Sequence, residues 1–314
     1  MISEAKARSF AESAFPEAPE KLAKHLGIDV RYSPLSGCDG WCLVKGEQAI
    51  VRVNNKLSTV RQRFTLAHEL GHLILGVPSV VGETYEDMLR SDSDEERRVN
   101  DLASALLIPA KVARESLPDL PVVTATAIRK LAKKANVSEL AAAVRVCNLA
   151  EEIGLVNASV VCFDGESVRW QWSKTLEMSD EIAVKLLTEA RTVSPMAYRE
   201  DCDDNEYVVV ASIIENYHLG SATLFVQRLP AAVGNKISRD ERRKILELEL
   251  FEDDPELRNK VSGLLGAHKN RIENTTQADS ENDFWERHLQ TLTNTTLDSR
   301  KGRKYIKLRI TEWF

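Results

Sequence analysis

The stretch Thr65-Leu66-Ala67-His68-Glu69-Leu70-Gly71-His72 places two histidines four residues apart with a glutamate between them. On a helix, positions four apart share a face, so the imidazoles of His68 and His72 can converge on one ion. Glu69 is rotated from His68 by about 100°. It can stand beside an open coordination position without being a ligand. Hydrolytic zinc chemistry needs that arrangement. The ion lowers the pKa of its water to about 7 and polarises a carbonyl, and a neighbouring carboxylate takes the proton. H-E-x-x-H is short and occurs by chance; a helical context is what gives it meaning.

A catalytic zinc takes three protein ligands and leaves a fourth position open. No histidine follows His72 at short spacing, the next being His218. The third ligand is then a carboxylate or a thiolate. Glu96 is expected in that role, with Asn100 one turn further along the same face. An E-x-x-x-N pair lets the glutamate bind the ion while the amide orients the outer nitrogen of a histidine. Glu96 also lies three residues after Ser93, as in a capping box, and Glu95 is the alternative ligand.

The elements that must position these groups follow from periodicity. Residues 4–26 read as two short helices joined at Pro16-Glu17-Ala18-Pro19. Residues 28–34 and 41–53 read as strands, the latter turning at Lys45-Gly46-Glu47. The histidines fall in a helix that Thr59 and Gln62 would cap. Val60, Phe64, Ala67, Gly71 and Ile74 form its apolar face, and Gly76 ends it. A loop over 77–92 leads to the helix of Glu96, with Val99, Leu102, Ala103 and Leu106 inward and Pro109 after it. Residues 124–152 hold two helices around a turn at Ala135-Asn136-Val137-Ser138, a helix-turn-helix pattern. Beyond 156 the character changes. "ASVVCF", "SVRWQW", "YVVVASII" and "SATLFVQ" read as strands, with a helix near 180–191. A helical, charged stretch covers 239–292, and "YIKLRITEWF" alternates with period 2 as a final strand. The fold class is α+β. A domain carrying the candidate zinc site over 1–155, including the helices of 124–152, is followed by a mixed α/β domain over 156–314.

The chain has 314 residues, 43% hydrophobic and 29% charged, with a net charge of −6. Bulk attraction to nucleic acid is not expected, and any contact must come from a local basic patch. No apolar run reaches the roughly 20 residues that span a bilayer. The N-terminus lacks a signal-peptide core, and five cysteines suggest no disulfide framework. The cytoplasm is the expected location, with no membrane partner.

"RQRFTLAHELGH" and "EERRVNDLASALLIP" together resemble the ImmA/IrrE family of bacterial zinc peptidases, which are gluzincin-like. The resemblance covers roughly residues 1–150 and includes the "IVRVN" strand. Val99 and Leu102 replace the family's usual alanine and phenylalanine. The resemblance implies a zincin-like domain with His68, His72 and Glu96 as zinc ligands and Glu69 as catalytic base. It also implies cleavage of a helix-turn-helix repressor that derepresses DNA-damage, stress, phage or defence genes. Some members carry a GAF-like C-terminal sensor, with which the strands after 156 are compatible.

Other features carry expectations of their own. Cys38 and Cys42 are too few for a structural zinc site. A Cys38 thiolate in the open zinc position would hold the enzyme latent; otherwise it is a small apolar residue. Arg129, Lys130, Lys133, Lys134 and Arg145 would contact phosphates in a DNA reader, or form a solvated helical face. Arg145 would alternatively stabilise an oxyanion. Trp170 and Trp172 share a strand face that would stack a ligand or pack. Lys301, Arg303, Lys304, Tyr305 and Lys307 combine cations with an aromatic, which suits single-stranded DNA as an activator. Two readings result: a zinc endopeptidase controlled by its C-terminal domain, or a non-proteolytic regulator that binds DNA or a repressor through a zinc-stabilised core.

Overall fold

A computed structural model of the chain describes residues 2–46, 48–78, 93–117, 122–153, 155, 157–173, 176–192, 196–202, 205–216, 221–230, 243–244, 246–247, 250–251, 254–272 and 276–313. Two compact units emerge. One comprises residues 1–118, 127–154 and 172–174, the other 119–126, 155–171 and 175–314.

The first unit begins with helices α1 (Glu4–Ala14) and α2 (Ala18–His25), then strands β1 (Asp29–Ser33), β2 (Gly40–Lys45) and β3 (Gln48–Asn54). The strands form a sheet of order β1-β3-β2, with β1 parallel and β2 antiparallel to β3. Next come α3 (Thr59–Leu75), α4 (Asp94–Leu107), α5 (Ala110–Ser116), α6 (Ala125–Ala135) and α7 (Glu139–Asn148). Most of the loop expected over 77–92 lies outside the described residues.

Helix α3 carries both histidines and is buried on every side from Arg63 to Leu73. The single apolar face expected from sequence is therefore too narrow, because sheet, α2 and α4 all pack on this helix. Ser58, not Thr59, is its N-cap, and Gln62 donates to the Leu57 and Asn55 carbonyls instead of closing a capping box. Gly76 ends it in the left-handed region at φ 69°, where a Cβ would be strained.

The two arginines in the first turns of α3 are used internally. Arg61 Nε donates to Asp39 Oδ2 at 2.6 Å. Arg63 donates to Glu20 Oε1 at 2.7 Å, to the Ala135 and Asn136 carbonyls at 2.7 and 2.8 Å, and to the Pro16 carbonyl. One buried guanidinium thus ties the histidine helix to α2 and to the α6–α7 turn. Asn136 turns the chain there at φ 52°, a conformation asparagine tolerates better than most residues.

In the second unit β4 (Asn157–Asp164), β5 (Ser167–Ser173), α8 (Asp180–Thr192), β6 (Met196–Cys202), β7 (Asn205–Asn216) and β8 (Ser221–Pro230) give a five-stranded sheet of order β5-β4-β8-β7-β6. Leu186, Leu187 and Ala190 of α8 join Val161, Phe163, Val209, Ala211, Leu224 and Val226 in one core. The buried Gln227 amide exchanges two hydrogen bonds with the Val123 backbone, at 2.9 and 2.8 Å.

Helices α9 (Pro255–Lys269), α10 (Gln277–Leu292) and α11 (Arg300–Thr311) build a separate cluster around Val261, Leu265, Phe284, Tyr305, Ile306 and Ile310. The expected final strand is thus the helix α11. Ser299 caps it by accepting from the Gly302 N–H at 3.1 Å. Gly302 lies so close to Leu297 that a Cβ there would meet backbone at 2.2 Å. No helix among the described residues is long and apolar enough to cross a membrane.

Candidate metal centre

Helices α3 and α4 meet at a glycine. A Cβ on Gly71 would lie 3.1 Å from Val99 Cγ1 and 3.2 Å from the Val99 carbonyl oxygen. This close approach carries Glu96 and Asn100, flanking Val99 on α4, up to the histidines. His68 Nε2 and His72 Nε2 are 3.0 Å apart. Glu96 Oε2 is 3.6 Å from His68 Nε2, and Glu96 Oε1 is 3.6 Å from His72 Nε2. A tetrahedral ion with bonds of about 2.0–2.1 Å sets its ligands about 3.3–3.4 Å apart. The three separations bracket that value, so the donor set fits such an ion. Among the described residues, His68, His72 and Glu96 are the group of three whose ligand atoms gather within 4.8 Å, and all three are buried. Glu95 is exposed.

Asn100 Oδ1 lies 3.0 Å from His68 Nδ1. The carbonyl oxygen of an amide accepts, so Nδ1 holds the proton and Nε2 keeps its lone pair for an ion. Burial first, and then the charge of His72, push the His68 pKa down to about 3 against the opposing effect of the Asn100 bond. Burial also lowers His72. Both imidazoles are therefore neutral near pH 7, the form that ligates metal. Ser93 Oγ accepts from the Glu96 N–H at 3.5 Å. Cap and cluster thus use different parts of Glu96, its backbone and its carboxylate.

Glu69 is buried beside His68. The first residue of β2 rests against it: a Cβ on Gly40 would lie 2.4 Å from Thr65 Cγ2, 2.8 Å from the Arg52 carbonyl oxygen and 3.5 Å from Glu69 Oε1. Sequence reasoning missed Gly40, as it missed Asp39 and Arg63, and it read Gly71 only as part of the apolar face. A glycine between an acidic residue and a strand was the only available signal for Gly40.

Several expected site residues fall elsewhere. Cys38 is buried, and its sulfur is not in the cluster. Its carbonyl accepts from Asn54 Nδ2 at 3.2 Å, so it belongs to a pinned loop. Arg145 is 3% exposed; it donates to the Ile108 carbonyl at 2.9 Å and lies 3.6 Å from Asp101. Burial lowers its pKa to about 10, which leaves it cationic at neutral pH. Residues 142–147 of α7 are buried, so this helix offers no groove-reading face. Arg129 pairs with Glu139 and Lys134 with Ser116. Trp172 donates from its indole nitrogen to Asn148 Oδ1 at 2.9 Å, a packing role. In α11, Tyr305 is 1% exposed and cannot stack a base. Arg303 lies over the Trp285 ring, Lys307 is 3.9 Å from Glu281, and Lys304 is exposed while Lys301 is half-buried.

Residues 23–146 match the peptidase M78 family model, described as the IrrE N-terminal-like domain. The radiation response metalloprotease IrrE of Deinococcus radiodurans is 34% identical over 149 residues, 46% of this chain and 43% of that protein. Its counterpart in Deinococcus deserti is 32% identical over 119 residues, 37% of this chain and 41% of that protein. The matched region therefore spans less than half the length of these curated relatives. A Mycobacterium tuberculosis transcriptional regulator, 16% identical, superimposes with a TM-score of 0.46 over 74% of this chain and 77% of its own. The N-terminal region of this chain, residues 23–146, is thus similar to the IrrE N-terminal-like domain of the M78 metallopeptidases.

Proposed function

We propose that the chain is a zinc-dependent endopeptidase that cleaves a helix-turn-helix transcriptional repressor and so derepresses a stress, DNA-damage or phage-defence response. The observation that carries the zinc reading is the convergence of His68, His72 and Glu96, with Asn100 fixing the His68 tautomer. When bound, zinc supplies a Lewis acid that polarises the scissile carbonyl and acidifies water. The chain's own residues do the rest. Glu69 takes a proton on its carboxylate and returns it to the leaving amine. Burial of Glu69 keeps bulk water from competing for that proton.

Substrate binding falls to β2. It lies at one end of the sheet order β1-β3-β2 and begins with Gly40 against Glu69. An extended peptide added to that edge would be held by backbone hydrogen bonds and would pass the carboxylate. The repressor as substrate rests on likeness to proteins of the IrrE type. Regulation is assigned to the second unit; with Tyr305 buried, the case for single-stranded DNA as activator loses its stacking residue.

The test is incubation of the zinc-loaded protein with a helix-turn-helix repressor. Glu69→Gln should abolish cleavage while retaining zinc. Equal cleavage by Glu69→Gln and wild type would refute the mechanism. Binding without cleavage by the wild type would favour the non-proteolytic regulator.

A further inference from the structure

We propose that Asp39 is a positioning residue for the substrate-binding edge, acting through Arg61. This deepens the peptidase reading and rests on it. Asp39 is 5% exposed, and its carboxylate accepts from Arg61 Nε at 2.6 Å. Arg61 sits in the first turn of α3, a turn with no acidic residue of its own and an N-cap that makes no side-chain bond. Asp39 therefore brings a negative charge to the end of the helix where the backbone dipole favours it.

The same residue is fixed a second time: its carbonyl accepts from the Asn54 N–H at 2.8 Å. Asn54 also holds the preceding loop, donating from Nδ2 to the Leu35 and Cys38 carbonyls, both at 3.2 Å. The next residue is Gly40, whose backbone lies on Thr65 and Glu69. Asp39 is thus the link between a loop pinned to β3 and a strand start pressed on the catalytic helix. Its partner pairs it to α3, the helix that carries Glu69. With the pair intact, the β2 edge and the carboxylate keep one separation. With it broken, Gly40 is free to lift, and the peptide's backbone partners lift with it.

The experiment compares wild type, Asp39→Asn and Arg61→Lys as zinc-loaded full chains. Asp39→Asn keeps the side-chain size and removes the charge. Arg61 is partly exposed, so Arg61→Lys is expected to fold even where Asp39→Asn does not. The measurements are zinc content, Tm, kcat and KM on a peptide substrate, and amide hydrogen exchange across residues 38–43. The expected result for Asp39→Asn is a rise in KM of about three- to tenfold, with kcat and zinc content held and exchange over 38–43 faster. Arg61→Lys should fall between it and wild type. Unchanged KM and unchanged exchange overturn the proposal. So does a loss of zinc and kcat at constant KM, which would mean general support of the metal site. If the wild type cleaves nothing, the peptidase reading fails on its own, and the exchange measurement still decides whether Asp39 holds the strand.

Discussion

Removing the Asn100 acceptor should weaken zinc binding without dismantling the fold. Its Oδ1 lies 3.0 Å from Nδ1 of His68, which is 1% exposed. Without that acceptor the buried Nδ1–H loses this hydrogen-bond partner. A buried donor left unsatisfied costs about 1–3 kcal/mol. The ring can escape the cost by shifting its proton to Nε2, but that removes the lone pair that faces His72 and Glu96. Either way the penalty falls on the ligating tautomer, and about 1.4 kcal/mol is a factor of ten. Asn100→Leu, which conserves approximate volume, should therefore lower zinc affinity by about ten- to hundredfold, as for other orienting partners of metal-bound histidines. Asn100→Ala should do the same and add the cost of a small cavity. Competition with a chromogenic chelator at neutral pH measures the affinity. Imidazole nitrogen shifts of the metal-free protein report the tautomer independently. Zinc affinity within twofold of wild type for Asn100→Leu, with the tautomer unchanged, would refute the reasoning.

Gly40→Ala should destabilise the first unit by about 1–3 kcal/mol through overpacking. The added Cβ meets Thr65 Cγ2 and a β3 carbonyl, neither of which can swing away; urea unfolding measures this, and wild-type stability would contradict it. Peptide cleavage by Gly40→Ala should fall as well, since the displaced strand adjoins Glu69. In the second unit, burial raises the Tyr305 pKa, while the nearby Arg309 guanidinium opposes it. The folded protein then keeps a phenol proton that the unfolded chain releases at about pH 10. This contribution is complete below about pH 10 and is lost as pH rises through the folded value. Urea titrations at alkaline pH should show a steeper loss of stability for wild type than for Tyr305→Phe. Parallel curves would show that the phenol does not carry the effect.

The parts of the site legible in the sequence are those whose spacing is local. His68 and His72 share a face because they are one helical turn apart, and Glu96 and Asn100 do so for the same reason. The relation between the two pairs was not legible from spacing, since it depends on Gly71 admitting the Val99 backbone. The contact of Gly40 with Glu69 crosses from strand to helix over nearly thirty residues, and no periodicity encodes it. The C-terminal segment failed for another reason. Ile306, Leu308 and Ile310 satisfy a period of two, whereas Ile306 and Ile310 with Tyr305 and Gly302 satisfy a helical one. Alternation in so short a run cannot separate the two. The cap decides: Ser299 accepts from Gly302, and glycine alone fits against the Leu297 backbone.

Charge was the least legible property, and the arginines show why. Arg145 carries a sequence reading as a phosphate or oxyanion contact, and Arg61 and Arg63 carry none. Arg61, Arg63 and Arg145 all serve the interior, meeting Asp39, the carbonyls around the α6–α7 turn, and the Ile108 carbonyl respectively. A guanidinium offers five donors in a fixed fork, so it can satisfy several main-chain carbonyls at once where a helix end or turn leaves them without partners. Sequence composition counts such a residue as surface charge. Its true partners are backbone atoms, which carry no sequence signature. For the proposed peptidase this has a functional consequence. The histidine helix is fixed at its first turns by Arg61 and Arg63 and at its middle by Gly71, so its ligands are held before any ion arrives.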